Sequence, residues 1–246
     1  MKIKNATYSV IYPKVNNIRK EIFKLEEKLN GLFVQPFSLI SIPDDAPAEI
    51  PRISANSRFG HSSLNISLNT AQYTVNYDEN YNRDIDKCFE YMKKHVKEVF
   101  KSIASATSED YLFTGLTLEI LLDDINKEDP VDIITKRFYS IESPNKPFDI
   151  SNRVTYVLED KYYINISVSN IRSYKGMSPN SINQLIGLQQ ISNDICINLD
   201  INDRYAFNYK KYYKSSEKEL DKILELAYSI LSDKICDYIE KGVLKL

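Results

Sequence analysis

The sequence predicts an α+β fold made of two pseudo-repeats, each with the order β-α-antiparallel sheet-α. The long helices are expected to pack on one face of a continuous antiparallel sheet. Two strands, 63–69 and 194–201, alternate apolar and polar residues with period two, and each precedes a long amphipathic helix. Because the same order of elements occurs twice, we divide the chain into halves 1–107 and 108–246 and expect them to form one compact unit.

The first half opens with a segment of β-prone residues, 5–12, which predicts a strand. Apolar residues at helical spacing then predict an amphipathic helix that ends at Gly31. Residues 32–42 predict a strand closed by Pro43, and residues 52–58 predict a short strand.

The alternation of strand 63–69 shifts near Thr70 and resumes over 71–77, which predicts a β-bulge. A helix with one apolar stripe follows and runs to about residue 104. The outward positions of the two alternating strands are polar or acidic: Ser63, Asn65, Ser67 and Asn69 in the first half, and Asp194, Asn198 and Asp200 in the second. We therefore expect the open face of the sheet to be polar and partly acidic.

The second half repeats this order. Residues 110–122 predict a strand, and residues 130–139 predict a helix with Pro130 in its first turn. Strands 154–158 and 162–168 predict a hairpin.

Two features of the second half lie nearer its end. The last long helix is predicted to begin at a capping box formed by Ser216 and Glu219. Within residues 174–190, the segment 175–179 predicts a turn, whereas 182–188 fits either a helix or a strand, so neither is assigned there.

The composition is that of a globular protein. The chain has 246 residues, of which 43% are apolar and 27% charged, and its formal net charge is −2. A net charge near zero gives no overall attraction to nucleic acid or to an acidic membrane. The sequence has neither a signal-peptide run nor a stretch of about 20 apolar residues, so we expect a cytoplasmic protein without a membrane partner.

At the level of element order, the chain resembles the duplicated saddle of the TATA-binding-protein fold. The resemblance implies that each half contributes a short helix, an antiparallel sheet and a long helix. The resemblance does not imply DNA binding, because a sheet face with Asp194 and Asp200 would repel phosphate. The length and order are also similar to a sporadically distributed, uncharacterised family of bacterial proteins, a resemblance that implies no activity.

The segment from Arg52 to Ser63 is the first candidate site. Arg52, Arg58 and His61, with Arg172 from the second half, are candidates for binding an anion or another ligand. His61 and Ser62 are the catalytic candidates, although neighbouring residues of a strand point to opposite faces. The alternative is a hairpin tip whose polar residues serve the turn, and we favour it.

Metal sites are not expected. The cysteines, Cys88, Cys196 and Cys236, lie far apart in apolar-periodic segments and are predicted to be small buried side chains without disulfides. The acidic residues after the strand at 110–122 are interpreted as solvated caps rather than a magnesium site: Glu119, Asp123, Asp124, Glu128 and Asp129. We expect no cofactor.

A second candidate surface interleaves aromatic and basic residues in the segment 204–214. Its nucleic-acid candidates are Arg204, Tyr209, Lys210, Lys211 and Lys214. The alternation of Tyr205, Phe207 and Tyr209 also fits the inner side of a strand, which is the interpretation we favour.

These observations favour a non-enzymatic binding or regulatory protein of bacterial type that acts through protein–protein or ligand contact. Self-association is expected because the 18 tyrosines suit interfaces. The alternatives are a nucleic-acid-binding module that uses 204–214, and an enzyme that acts on a phosphorylated substrate at the Arg52–Ser63 loop.

Overall fold

The computed structural model describes residues 1–43, 45–107, 111–123, 128–139, 144–175 and 189–244. The strands that it contains are β1 (Lys2–Ile11), β2 (Ser38–Leu39), β3 (Ile53–Asn56), β4 (Ser62–Ile66), β5 (Thr70–Asn76), β6 (Phe113–Leu122), β7 (Ser151–Leu158), β8 (Tyr162–Lys175) and β9 (Gln189–Asn202). They form one continuous antiparallel sheet in the order β2-β3-β4-β5-β1-β6-β9-β8-β7. The α+β fold and the continuous antiparallel sheet are therefore confirmed.

The helices are α1 (Ile22–Lys28, after a 3-10 turn at Ile18–Glu21), α2 (Ile85–Thr107), α3 (Pro130–Phe138), α4 (Arg204–Tyr209), α5 (Glu217–Ser229) and α6 (Ile235–Lys241, after a π-helical turn at Ile230–Lys234). Helix α2 contacts β1 and β5, α5 contacts β6 and β9, and the two helices contact each other. The helix at 130–139 is confirmed, with Pro130 at its start and Asp129 as its N-cap.

Strand alternation divides the sheet into a helix-covered face and an open face. Apolar residues such as Tyr8, Leu118 and Leu199 are buried on the covered face. Their neighbours Thr7, Thr117 and Asn198 lie on the open face and are at least partly exposed. The core therefore lies between the sheet and its helices.

The alternation that predicted a bulged strand belongs to a hairpin instead. Strands β4 and β5 pair antiparallel, with Ile66 opposite Ala71. The Ser67 hydroxyl oxygen accepts hydrogen bonds from the backbone N–H groups of Asn69 (3.3 Å) and Thr70 (2.9 Å). Ser67 is consequently buried in the turn rather than outward on a strand, so the predicted bulge was wrong.

Two other predicted strands are also wrong. Within 32–42 only Ser38–Leu39 is a strand, because Arg19 donates to the carbonyls of Ile40 (3.1 Å) and Ile42 (2.9 Å) and holds that stretch as a loop. The aromatic alternation after Arg204 lies on helix α4. On a helix Tyr205 and Tyr209 share one side, and their ring centroids are 4.6 Å apart.

Details near the C-terminus depart from the sequence patterns. Ser216 is the N-cap of α5 but its side chain makes no capping hydrogen bond. Glu219 accepts hydrogen bonds from Lys161 (2.6 Å) and from the hydroxyl of Tyr162, which ties α5 to β8 instead of closing the predicted capping box. Cys236 is exposed, unlike Cys88 and Cys196, because it lies on the outer side of α6.

The hairpin of β7 and β8 is confirmed. The structure assigns both ends of the segment 174–190, since β8 extends to Lys175 and β9 starts at Gln189. The remaining residues, 176–188, lie outside the described residues.

Candidate functional site

A pocket of about 430 Å³ opens beside the end of β5, between the tip of the β3–β4 hairpin and helix α2. It is called here the His61 pocket, and its lining residues are Phe59, His61, Val75, Asn76, Tyr77, Asp78, Tyr81 and Tyr91. Its volume falls within the range of about 300–1,000 Å³ that is typical of small-ligand sites. One of the two candidate segments of the sequence thus contributes to a concave site.

The hairpin tip positions His61. Gly60 has φ of +70°, a backbone conformation that favours glycine, and its N–H donates to the carbonyl of Ser57 (2.9 Å). The Ser57 hydroxyl oxygen accepts from the Ser62 N–H at 3.0 Å. These bonds close the turn and direct the imidazole of His61 toward α2.

The His61 ring is held from both sides. Its Nε2 atom is 2.7 Å from the Tyr91 hydroxyl, and its Nδ1 atom is 3.2 Å from the Ser57 hydroxyl. Ser62, the other catalytic candidate, is buried, and its hydroxyl bonds to Tyr73 rather than to His61. The structure therefore brings His61 to Ser57 and Tyr91 and not to Ser62.

The hydroxyl nearest to His61 is poorly placed for attack on a substrate. Ser57 is 6% exposed and does not line the pocket. Its oxygen already accepts the Ser62 N–H, so it serves the turn. This arrangement can orient Tyr91 and present hydrogen-bonding groups to a ligand.

Tyr91 is the centre of an aromatic cluster. Its ring centroid is 6.5 Å from that of Tyr77, 6.2 Å from that of Tyr81 and 4.3 Å from that of His95. Tyr77 is fixed by a hydrogen bond from its hydroxyl to the Cys88 carbonyl (3.0 Å), and burial raises its pKa. Both histidines of the chain thus contact Tyr91.

His95 is a half-buried partner of the cluster. Burial lowers its pKa, and the nearby Lys94 and His61 lower it further. Its Nδ1 atom is buried without a hydrogen-bond partner among the described atoms. The neutral imidazole is therefore the favoured form in the fold.

The predicted arginine cluster is not assembled. Arg52 is 1% exposed and donates to the carbonyls of Ile50 (2.6 Å) and Ala46 (2.9 Å), so it stabilises the preceding loop. Arg58 is exposed at the hairpin tip. Arg172 lies on β8, six strand positions from β3 or roughly 29 Å at about 4.8 Å per strand, and pairs with Asp149 at 2.6 Å.

The segment 204–214 forms a second surface, called here the α4 surface, made of Arg204, Tyr209, Lys210 and Lys211. These four residues are exposed, and Lys214, also exposed, follows them. The guanidinium of Arg204 lies 5.4 Å from the ring centroid of Phe113. Phe113 belongs to the open face of β6, so the surface borders the open face.

The open face itself consists mainly of hydroxyl and amide groups. One row crosses eight strands: Asn56, Ser63, Thr74, Thr7, Thr117, Asp200, Asn165 and Thr155. Several of these groups bond to one another, as in Asn165 to Asp200 (2.8 Å) and Thr155 to Asn165 (2.7 Å). Because their hydrogen bonds are made within the row, the His61 pocket is the better candidate site.

The acidic residues after β6 act as ion-pair partners and caps. Burial would raise the pKa of Asp123, but the hydrogen bond and charge of Lys2, with Arg83, lower it to about 2. Asp129 accepts from the N–H of Val131 at 2.9 Å. Across the described ranges, no group of three or more His, Cys, Asp or Glu residues could hold a metal ion. Asp124 lies outside these ranges.

Sequence reasoning missed Tyr77, Tyr81 and Tyr91. Tyr91 lies outside the apolar stripe of α2, which is the pattern expected of a surface residue.

Among the described residues, none of the helices combines the length and the apolar character that crossing a membrane requires. Compared with known proteins, the chain matches no family model and no curated protein sequence.

Proposed function

We propose that the chain is a non-enzymatic binding protein that holds a small ligand in the His61 pocket. The observation that carries this proposal is the hydrogen bond of 2.7 Å between His61 and Tyr91 inside a pocket of about 430 Å³. Fixed aromatic walls with a few polar groups are typical of ligand sites. The pocket also offers Asn76 and Asp78 as polar contacts.

Binding is favoured over catalysis because the pocket lacks a placed nucleophile among its lining residues. The Ser57 hydroxyl, which would be activated by His61, belongs to the turn. Of the arginines proposed to bind phosphate in an enzyme, Arg52 is buried against the carbonyls of the loop before β3, and Arg172 lies on β8. Self-association and a protein partner stay predictions.

A ligand-observed NMR experiment tests the proposal. A panel of small cationic, neutral and anionic compounds is screened by saturation transfer against the protein and two variants. Asn76→Trp places an indole in the pocket, whereas Gln72→Trp changes an exposed residue of the same strand face outside it. We expect at least one compound that binds the parent and the Gln72 variant but not the Asn76 variant. Binding that is unaffected by Asn76→Trp, or no binding at all, would contradict the proposal.

The α4 surface supports nucleic-acid binding as a second candidate function. The ring of Tyr209 is 68% exposed beside Lys210 and Lys211, and exposed rings beside cations can stack on bases. A single-stranded oligothymidylate titrated at rising salt should lose affinity steeply if this surface binds phosphates. A Tyr209→Ala variant should bind more weakly, and no binding at low salt would eliminate this function.

We also propose that the two halves, 1–107 and 108–246, are pseudo-repeats. The sheet order supports this: outward from β1 the strands are β5, β4, β3 and the two-residue β2, and outward from β6 they are β9, β8 and β7. In each arm the last strand in sequence lies next to the central strand. This order is compatible with a saddle resembling that of the TATA-binding-protein fold.

A further inference from the structure

The walls of the His61 pocket are aromatic on several sides. Phe59, Tyr77, Tyr81 and Tyr91 each contribute a ring to its lining. The face of an aromatic ring carries partial negative charge and attracts a cation within about 6 Å of its centroid. A pocket with several such rings favours an organic cation over a neutral ligand of the same shape.

One carboxylate adds full negative charge to these walls. Asp78 lines the pocket and accepts a hydrogen bond from the N–H of Asn80 at 2.9 Å. Within the described part of the chain, it has no ion-pair partner at 4.0 Å or less. The nearest acidic neighbour along the chain that enters an ion pair is Asp84, which binds Lys87 at 3.0 Å. The charge of Asp78 is therefore available to a ligand.

The rings are held in place before any ligand arrives. Tyr91 bonds to His61 and Tyr77 bonds to the Cys88 carbonyl, so two walls are anchored by their hydroxyl groups. Tyr81 packs against Tyr91 with an interplanar angle of 70°. A preorganised site loses less conformational entropy when a ligand binds.

A cation already lies against the outermost ring. The guanidinium of Arg58 is 5.9 Å from the Phe59 centroid, and Phe59 is 84% exposed at the rim. The inner rings of Tyr77, Tyr81 and Tyr91 are left for a ligand. A quaternary ammonium ion matches them, because it combines positive charge with apolar surface and has no N–H group that needs a hydrogen-bond acceptor.

We propose that the His61 pocket binds a quaternary or highly methylated ammonium group. This inference rests on the proposed function, since it names the ligand class of the same pocket. Asp78 supplies the counter-charge, and the tyrosine rings supply the contact surface.

The test compares choline with 3,3-dimethyl-1-butanol, in which a carbon atom replaces the charged nitrogen. Isothermal titration calorimetry of the full chain should show choline binding roughly tenfold or more tightly than the neutral compound. Tyr81→Leu and Asp78→Asn should each weaken choline binding by a similar factor. Tyr228→Leu and Glu79→Gln are the matched controls, since Tyr81 and Tyr228 are 40% and 39% exposed and Glu79 adjoins Asp78 outside the pocket.

The possible outcomes distinguish a failure of the ammonium proposal from a failure of the proposed ligand pocket. Equal binding of both compounds, lost in Asn76→Trp, would overturn the ammonium proposal and leave the pocket as a ligand site. Choline binding that survives both Tyr81→Leu and Asp78→Asn would also overturn it. If neither compound binds, the ammonium proposal fails, and the compound panel alone then decides the proposed function. Circular dichroism of each variant checks that it is folded.

Discussion

The Nε2 atom of His61 lies 2.7 Å from the hydroxyl oxygen of Tyr91, and this bond joins the tip of the β3–β4 hairpin to helix α2. The two residues are 30 positions apart in sequence. Their contact closes one side of the His61 pocket. It also connects the hairpin to a helix that packs on the centre of the sheet.

Replacing Tyr91 by phenylalanine should weaken the attachment of the hairpin tip to α2 and lower the stability of the fold. The change removes one hydrogen bond and leaves the His61 nitrogen without its partner, so we expect a loss of about 1 kcal/mol in the free energy of unfolding. Urea denaturation measures it. Tyr228→Phe is the control, because the hydroxyl of Tyr228 bonds to the exposed carboxylate of Asp86 and should matter less. If the two variants lost equal free energy of unfolding, the His61–Tyr91 hydrogen bond would contribute no more than an exposed one.

Protonation of His95 should destabilise the fold. Because its pKa is lowered in the folded protein, the unfolded chain takes up the proton first as the pH falls. The stability that His95 contributes is therefore present above its unfolded pKa of about 6.5 and is lost progressively below it. Thermal unfolding from pH 7.5 to 5 should show this loss, and it should be smaller in His95→Gln. An unchanged pH profile in that variant would refute the assignment.

Asp203 is a buried carboxylate that joins β6 to the loop before α5. It accepts hydrogen bonds from the Thr114 N–H (2.6 Å) and from the hydroxyls of Tyr213 (2.7 Å) and Ser215 (2.5 Å), and burial raises its pKa. Asp203→Ala leaves these donors unpaired and should cost about 3 kcal/mol. Asp200→Ala on the open face should cost much less when both are measured by denaturant titration. Comparable costs would contradict the described role of Asp203.

Gly115 is required for the close approach of β6 and β9. A Cβ atom added at this position would lie 2.9 Å from the Cβ of Asn202 and 3.3 Å from the carbonyl oxygen of Ile201. Gly115→Ala should therefore lower the free energy of unfolding by roughly 1–3 kcal/mol. Thr117→Ala, on the same strand and face, serves as the control and should change stability by about 0.5 kcal/mol or less. If Gly115→Ala left the free energy of unfolding unchanged, Gly115 would not be required for the close approach of the two strands.

The fold was more predictable from the sequence than the pocket. Period-two alternation and apolar stripes report burial on one side of each element, and burial is what the sheet and α2 require. The hairpin at Ser67 was missed because its turn contains neither glycine nor proline and relies on a serine hydroxyl. Tyr91 was missed because it meets His61 only when the hairpin tip folds against α2. No pattern of neighbouring residues in the sequence predicts a contact between positions so far apart.

The most direct measurement is a map of backbone amide shifts during a choline titration of isotope-labelled protein. We predict that the shifts concentrate at Gly60, His61, Asn76 and Asp78, around the His61 pocket, and that they saturate. We predict no comparable change across the α4 surface. Shifts confined to the α4 surface, or no saturating shift at the pocket, would contradict the claim that the His61 pocket binds an ammonium group.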